Sequence, residues 1–349
     1  MQLLAPLVAL FGLAVTVNGA CSGSNARVTP PPGAIVVDAS GAHSGSFRTL
    51  SQGVSKLTGT TAQQTLFVFP GVYHEQVSVP KLNGPLVLQG YTCDTKSYAA
   101  NQVTITHAMA QKNIPASIKK NRNDLTTTLL LKSDNVKVYN LNVANTAGNV
   151  GQAIADKADG ANYGFYACDF TGYQDTLYAS KGPNLYARSY ISGAVDFVFG
   201  QYAKAWFESC DIVSIGKGCI AANGRDSATN PSGFVFNNAR VTDTGGVGTA
   251  YLGRPWKSYS RAVWQNSDLS NAINPEGWQK WNGDNNVANV FLKEYNNRGA
   301  GAAVNKRVGF SGRLSKPVPI TEILGANLVG RHQFLVRKLT PVPRTKLAG

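Results

Sequence analysis

Two large apolar residues five positions apart recur six times through the middle of the chain. The pairs are Val138/Val143, Phe165/Phe170, Tyr186/Ile191, Phe207/Ile212, Phe236/Val241 and Trp264/Leu269. Their first members are separated by 27, 21, 21, 29 and 28 residues. The residue three places after each start is Leu141, Cys168, Ser189, Cys210, Ala239 or Ser267, most of them small, and Asn/Gly turns fill the gaps. A motif returning at such an interval marks a repeat architecture. Helical repeats need longer stretches of 3.6-residue periodicity. A propeller needs about 40 residues or more per blade, and a sandwich does not repeat one register so often. The pattern predicts an all-β solenoid, a parallel β-helix whose coils stack strand on strand, with loop insertions making the coils unequal. The 36 glycines and the low charged fraction of 15% suit many short strands joined by turns.

Open solenoid ends must be covered. Residues 46–57 place Phe47, Leu50, Val54 and Leu57 at helical spacing, which predicts a short amphipathic helix capping the first coil. The segment from Ile320 to Lys338 is expected to cap or pack along the other end, with a basic tail over 331–349. Residues 1–20 are uncharged and apolar from Leu3 to Val17, with small residues at Gly19 and Ala20. They read as a secretory signal peptide, too short in its apolar part to span a bilayer, which predicts a secreted, extracellular protein. The five cysteines form no C-x-x-C motif. Cys168 and Cys210 share a register but lie two coils apart, roughly 9–10 Å at about 4.8 Å per strand. That exceeds the reach of a disulfide, about 7 Å between Cα atoms, so these two are predicted not to pair. The formal net charge of +14 attracts polyanions, nucleic acid or acidic polysaccharide. The basic residues are scattered, so charge alone does not choose between them.

The register also aligns acids. The stretch Gly193–Gly200, GAVDFVFG, reads as a buried strand with Asp196 in its middle, where an unpaired carboxylate is costly. Asp196 lies ten residues after Tyr186, and Asp175 ten after Phe165. Equal register in consecutive coils predicts neighbouring side chains about 5 Å apart. Gln174 adjoins Asp175, Gln152 lies 22 residues before Gln174, and Arg254 is expected on the same face two coils beyond Asp196. Two close carboxylates do not both ionise cheaply. One can serve as nucleophile and the other as general acid and base, with glutamine N–H groups stabilising an oxyanion. The set suits acyl transfer without Ser or His.

Five segments carry a family resemblance: Gly71-Val-Tyr-His-Glu75, Gly151-Gln-Ala-Ile-Ala155, Gln174-Asp-Thr-Leu177, Asp196-Phe-Val-Phe-Gly200 and Leu252-Gly-Arg-Pro-Trp256. In order and spacing, over roughly residues 33–330, the chain resembles the pectin methylesterases, and most of all short secreted fungal-type members. The resemblance implies a right-handed parallel β-helix and hydrolysis of galacturonate methyl esters. It implies Asp196 as nucleophile, Asp175 as general acid/base, Gln152 and Gln174 as oxyanion donors, and Arg254 holding Asp196. Trp256 and Trp278 match groove-lining aromatics, with Tyr178 and Phe199 as further candidates. Tyr73 and Glu75 belong to a family motif without an assigned catalytic role. No cofactor or metal is implied. Pectin is the implied partner rather than nucleic acid or membrane, and nothing demands more than a monomer. Asp156 departs from the family pattern, which is usually apolar there, and with Lys157 and Asp159 it reads as a solvated charged loop. Two rivals remain: a pectate lyase or polygalacturonase-like enzyme, and a non-catalytic polysaccharide-binding β-helix.

Overall fold

The computed structural model describes residues 21–282 and 286–326. The predicted signal peptide and the 331–349 tail lie outside the described residues.

Three parallel sheets share the chain, each taking a strand from successive coils. The first has eleven strands and runs from Ile35–Val37 to Gly312–Arg313; the second has seven, from Val77–Val79 to Ala250–Pro255. The third has eight, from Gly71–His74 to Asp268–Leu269. The apolar pairs are the register of this stack. Val138, Phe165, Tyr186, Phe207, Phe236 and Trp264 stand opposite one another in turn on the first sheet. Their partners from Val143 to Leu269 do the same on the third. Because strand spacing and ring thickness permit it, the inward aromatic rings stack face to face. Centroids are 4.6 Å apart for Phe165–Tyr186, 4.8 Å for Tyr186–Phe207, 4.5 Å for Phe207–Phe236 and 4.0 Å for Phe236–Trp264.

Each coil leaves the first sheet through a left-handed residue two places after its ring: Asn140, Ala167, Arg188, Ser209, Asn238 and Asn266, with φ between 49° and 54°. The turn keeps the ladder unbroken, since these N–H groups donate to the next coil, as Ala167 does to Ala187 O at 3.0 Å and Ser209 to Asn237 O at 3.0 Å.

The first coil is capped by the helix Leu50–Val54, which buries both end residues in the core. Thr49 accepts from the Gln52 N–H, and the Gln52 side chain accepts from the Thr49 N–H. Glu75 accepts from the Leu50 and Ser51 N–H groups at 2.7 and 2.9 Å, and the Tyr73 hydroxyl donates to Phe69 O, so both residues serve the fold. The helix is shorter than 46–57 because Phe47 is drawn into a bridge with Val37. At the other end, the segment expected to cap or pack along the coil is described as far as residue 326, and that part packs along rather than caps. The helix Ile320–Leu324 lies along the flank, its Ile323 and Leu324 covering Tyr166, Leu185, Ala187, Trp206, Val235 and Val263 on the outer face of the first sheet. Trp278, Ala272 and Ile273 close the core there, with Val308 and Phe310 against them. Cys21 and Cys93 form a disulfide, while Cys168, Cys210 and Cys219 are buried free thiols. Cys168 and Cys210 stay apart, as their register requires.

Candidate active site

The second sheet carries two files of side chains, one on each face. Leu130, Lys157, Tyr178, Phe199, Ala222 and Arg254 follow one another on the outer face. Leu129, Asp156, Leu177, Val198, Ala221, Gly253 and Trp278 follow one another on the inner face. The corner leading into this sheet holds the acids.

Asp196 does not sit within a strand. The third-sheet strand Tyr190–Gly193 ends before it and the second-sheet strand Val198–Gly200 begins after it. Asp196 is the corner residue between them, with φ 49°, and Asp175 is its counterpart one coil earlier, with φ 62°. Asp tolerates this left-handed conformation better than most residues. The kink sends Phe197 into the core while Asp196 leaves it, which is how an apolar run presents a carboxylate outward. The Asp196 N–H donates to Cys219 O at 2.7 Å and the Asp175 N–H to Val195 O at 3.0 Å. With Leu177 opposite Val198, the two acids fall on adjacent rungs, about 5 Å apart.

Their surroundings differ. Arg254 reaches across the intervening coil and donates through Nε to Asp196 Oδ1 at 2.9 Å and through Nη2 to Oδ2 at 2.7 Å. This two-pronged, charge-assisted contact fixes Asp196 in one orientation. Asp175 has no such partner. Burial pushes its carboxyl well above the usual carboxylate range, the charge of Asp196 adds to the push, and Arg254 offsets only part of it. The pair is thus an acid gripped by a guanidinium beside an acid driven toward its neutral form.

Gln174 bridges to Val195 next to Asp175. Gln152 lies outside any strand, and its position comes from two backbone contacts: its carbonyl accepts from the Gln111 N–H at 2.9 Å, and the Ala153 N–H donates to Gln174 O at 3.1 Å. Among the described residues, neither glutamine side chain is hydrogen-bonded to another residue.

Of the aromatics expected to line a groove, Tyr178 and Trp256 are partly exposed and pack with Trp281 against a buried Phe199, so Phe199 serves packing. Tyr178 and Phe199 stack at 4.3 Å between centroids, and Trp256 meets Phe199 edge-on at 6.1 Å. Trp278, expected in the groove, is fully buried. It ends the inner file, where Ala221 and Gly253 leave room for an indole ring. Trp281 joins this aromatic cluster: it lies 6.4 Å from Trp256, and the Arg254 guanidinium sits 4.2 Å from its ring centroid. The signal for Trp281 is its place three residues after Trp278, on a segment already bound to the edge of the second sheet.

The reading of Asp156 as part of a solvated loop is also corrected. It belongs to the inner file, fully buried between Leu129 and Leu177, and neither oxygen has a hydrogen-bond partner among the described residues. Burial drives its carboxyl well above the usual range. Its neighbour Lys157 faces outward and is enclosed as well, with Asp124 at 2.6 Å and Asp159 at 3.4 Å.

Known proteins share this chain's sequence and coil. The Pectinesterase family model matches residues 34–322. A pectinesterase of Aspergillus aculeatus is 44% identical over 311 residues, covering 86% of this chain and 91% of that protein, and one of Aspergillus niger is 42% identical over the same lengths. The crystal structure of a pectin methylesterase from Aspergillus niger superposes with a TM-score of 0.80 at 35% identity, covering 87% of this chain and 98% of that one. The chain belongs to the pectinesterase family.

Proposed function

We propose that this pectinesterase removes methyl groups from methyl-esterified galacturonate in pectin, with Asp196 as nucleophile and Asp175 as general acid and then base. Asp196 attacks the C6 carbonyl carbon. Gln152 and Gln174 donate N–H groups to the oxyanion of the tetrahedral intermediate, each worth roughly 3–4 kcal/mol in such sites. As the C–O bond to the methoxy group breaks, Asp175 gives its proton to the leaving oxygen and methanol departs. Asp175, now a carboxylate, takes a proton from water as that water attacks the acyl carbon. The acyl bond to Asp196 breaks, leaving a free galacturonate carboxyl and the starting enzyme. Tyr178, Trp256 and Trp281, each partly exposed, would offer apolar faces to sugar rings, over a buried Phe199.

One observation carries the reading: Arg254 grips both oxygens of Asp196 while the adjacent Asp175 is driven toward its neutral form. That asymmetry supports this division of roles. The Cys21–Cys93 disulfide fits an oxidising compartment and hence secretion.

Asp196→Asn and Asp175→Asn are the fitting tests, because Asn keeps the left-handed corner that Ala would strain. Each is expected to lower methanol release from highly methylated pectin by on the order of 10³-fold or more, with an unchanged circular dichroism spectrum. Turnover near wild type in either variant would remove that residue from its role. Absorbance from unsaturated uronates, instead of methanol, would favour the lyase reading.

A further inference from the structure

The corner that holds Asp175 and Asp196 exists in every coil, and in the coil containing Gln152 it has no strand to fix it. Gln152 falls between the strands Asn142–Asn145 and Asp156–Ala158. The same corner one coil earlier is an arm of about twenty residues, between the strands Val103–His107 and Leu129–Leu131. This arm supplies the bond from the Gln111 N–H to the Gln152 carbonyl.

The arm has little regular structure, so its shape needs another source. Arg122 provides it. Its Nη1 donates to Pro115 O at 3.1 Å and Ile118 O at 2.7 Å, and its Nη2 to Gln111 O at 2.7 Å and Ile114 O at 3.2 Å. One guanidinium thus gathers four carbonyls of a turn that lacks a ladder. Buried Asn145 ties the base of the arm to the same place, donating to Met109 O, Thr126 O and Ile154 O. No other backbone contact holds the Gln152 carbonyl among the described residues.

We propose that Arg122, acting through the Gln111 N–H, is the positioning residue for the oxyanion donor Gln152. The inference rests on the role given to Gln152 above. Donors stabilise an oxyanion only when preorganised. A shift of about 1 Å in a group of this kind can cost on the order of 10²-fold in rate. Arg122 touches no reacting atom; it sets where the amide stands before substrate arrives.

The decisive variant is Gln111→Pro, which deletes the N–H. Ala110 is extended (φ −112°, ψ 160°) and Gln111 opens a short 3₁₀ turn, a position where proline fits. Gln111→Ala keeps the N–H and measures the loss of the side chain alone. We expect kcat for Gln111→Pro to fall about tenfold or more below that of Gln111→Ala, with KM within roughly twofold and the melting temperature similar. Arg122→Ala is expected to show the same fall in kcat, partly recovered in Arg122→Lys. In a Gln152→Ala background, Gln111→Pro should add little, because the two act as a unit. Equal kcat for Gln111→Pro and Gln111→Ala, or wild-type kcat for Arg122→Ala, overturns the proposal. If Gln152→Ala itself retains wild-type kcat, the role of Gln152 fails, and the positioning role fails with it. Should Gln111→Pro not fold, Arg122→Ala decides alone.

Discussion

Asp156, Asp175 and Asp196 are three carboxyls in consecutive coils with three different fates. Asp196 has a guanidinium, Asp175 has a charged neighbour and access to the groove, and Asp156 has neither. The spacing of ten residues from each ring revealed the pair in the sequence, because corners repeat with the coil. It could not reveal Asp156, since whether a residue faces in or out depends on where the left-handed corner falls. Asp156 therefore sits as a neutral acid among Leu129, Leu177 and the rings of Tyr163 and Tyr186. The sign of its pH dependence follows. Its folded-state pKa is raised above the unfolded value near 3.9. Above about pH 4 the unfolded chain releases a proton that the native state keeps, so this group lowers stability as pH rises toward its native pKa. Asp156→Leu should thus stabilise the protein by about 1–3 kcal/mol at pH 8 and by less at pH 4, as read by urea unfolding at the two values. A variant that gains equally at both would contradict the buried neutral acid.

At the scale of elements, apolar periodicity located strands well and corners poorly. The stretch GAVDFVFG looked like one strand because apolar residues lie on both sides of Asp196, yet it is the end of one strand, a corner and the start of another. Left-handed corners are legible where Asn occupies them, as at Asn140, Asn238 and Asn266. They are hidden at Ala167, Arg188 and Ser209, where the ladder imposes the conformation against residue preference. The same stretch ends at Gly200, where a Cβ would lie 1.8 Å from the Ala179 carbonyl oxygen at a φ of 156°. Gly200→Ala should cost about 1–3 kcal/mol, seen as a lower urea midpoint with an unchanged slope. The tryptophans teach a related lesson. The family resemblance implied Trp278 for the groove, but the space left along the inner file at Ala221 and Gly253, visible only in three dimensions, takes that ring inside, and it is Trp281 that stands beside Trp256.

Across the whole molecule, the interval between rings was enough to give the solenoid, its register and the separation of Cys168 from Cys210. The pairing of Cys21 with Cys93 was not legible, because neither cysteine belongs to the repeat. That bridge closes 72 residues of chain around the first coils. Loop-closure entropy for such a span corresponds to about 4 kcal/mol. Cys93→Ser should lower stability by roughly 2–4 kcal/mol, measured by chemical unfolding, while leaving kcat for methanol release near wild type because the acids lie several coils away. The stacking of coils has a further consequence. The gap between Asp175 and Asp196 is one peptide-to-peptide hydrogen-bond step, so it is quantised. Loops around the site can lengthen by any number of residues, as the 27- to 29-residue intervals show, without altering it. Evolution can change what such a groove binds in small increments, but it can move the two acids apart only by a whole rung.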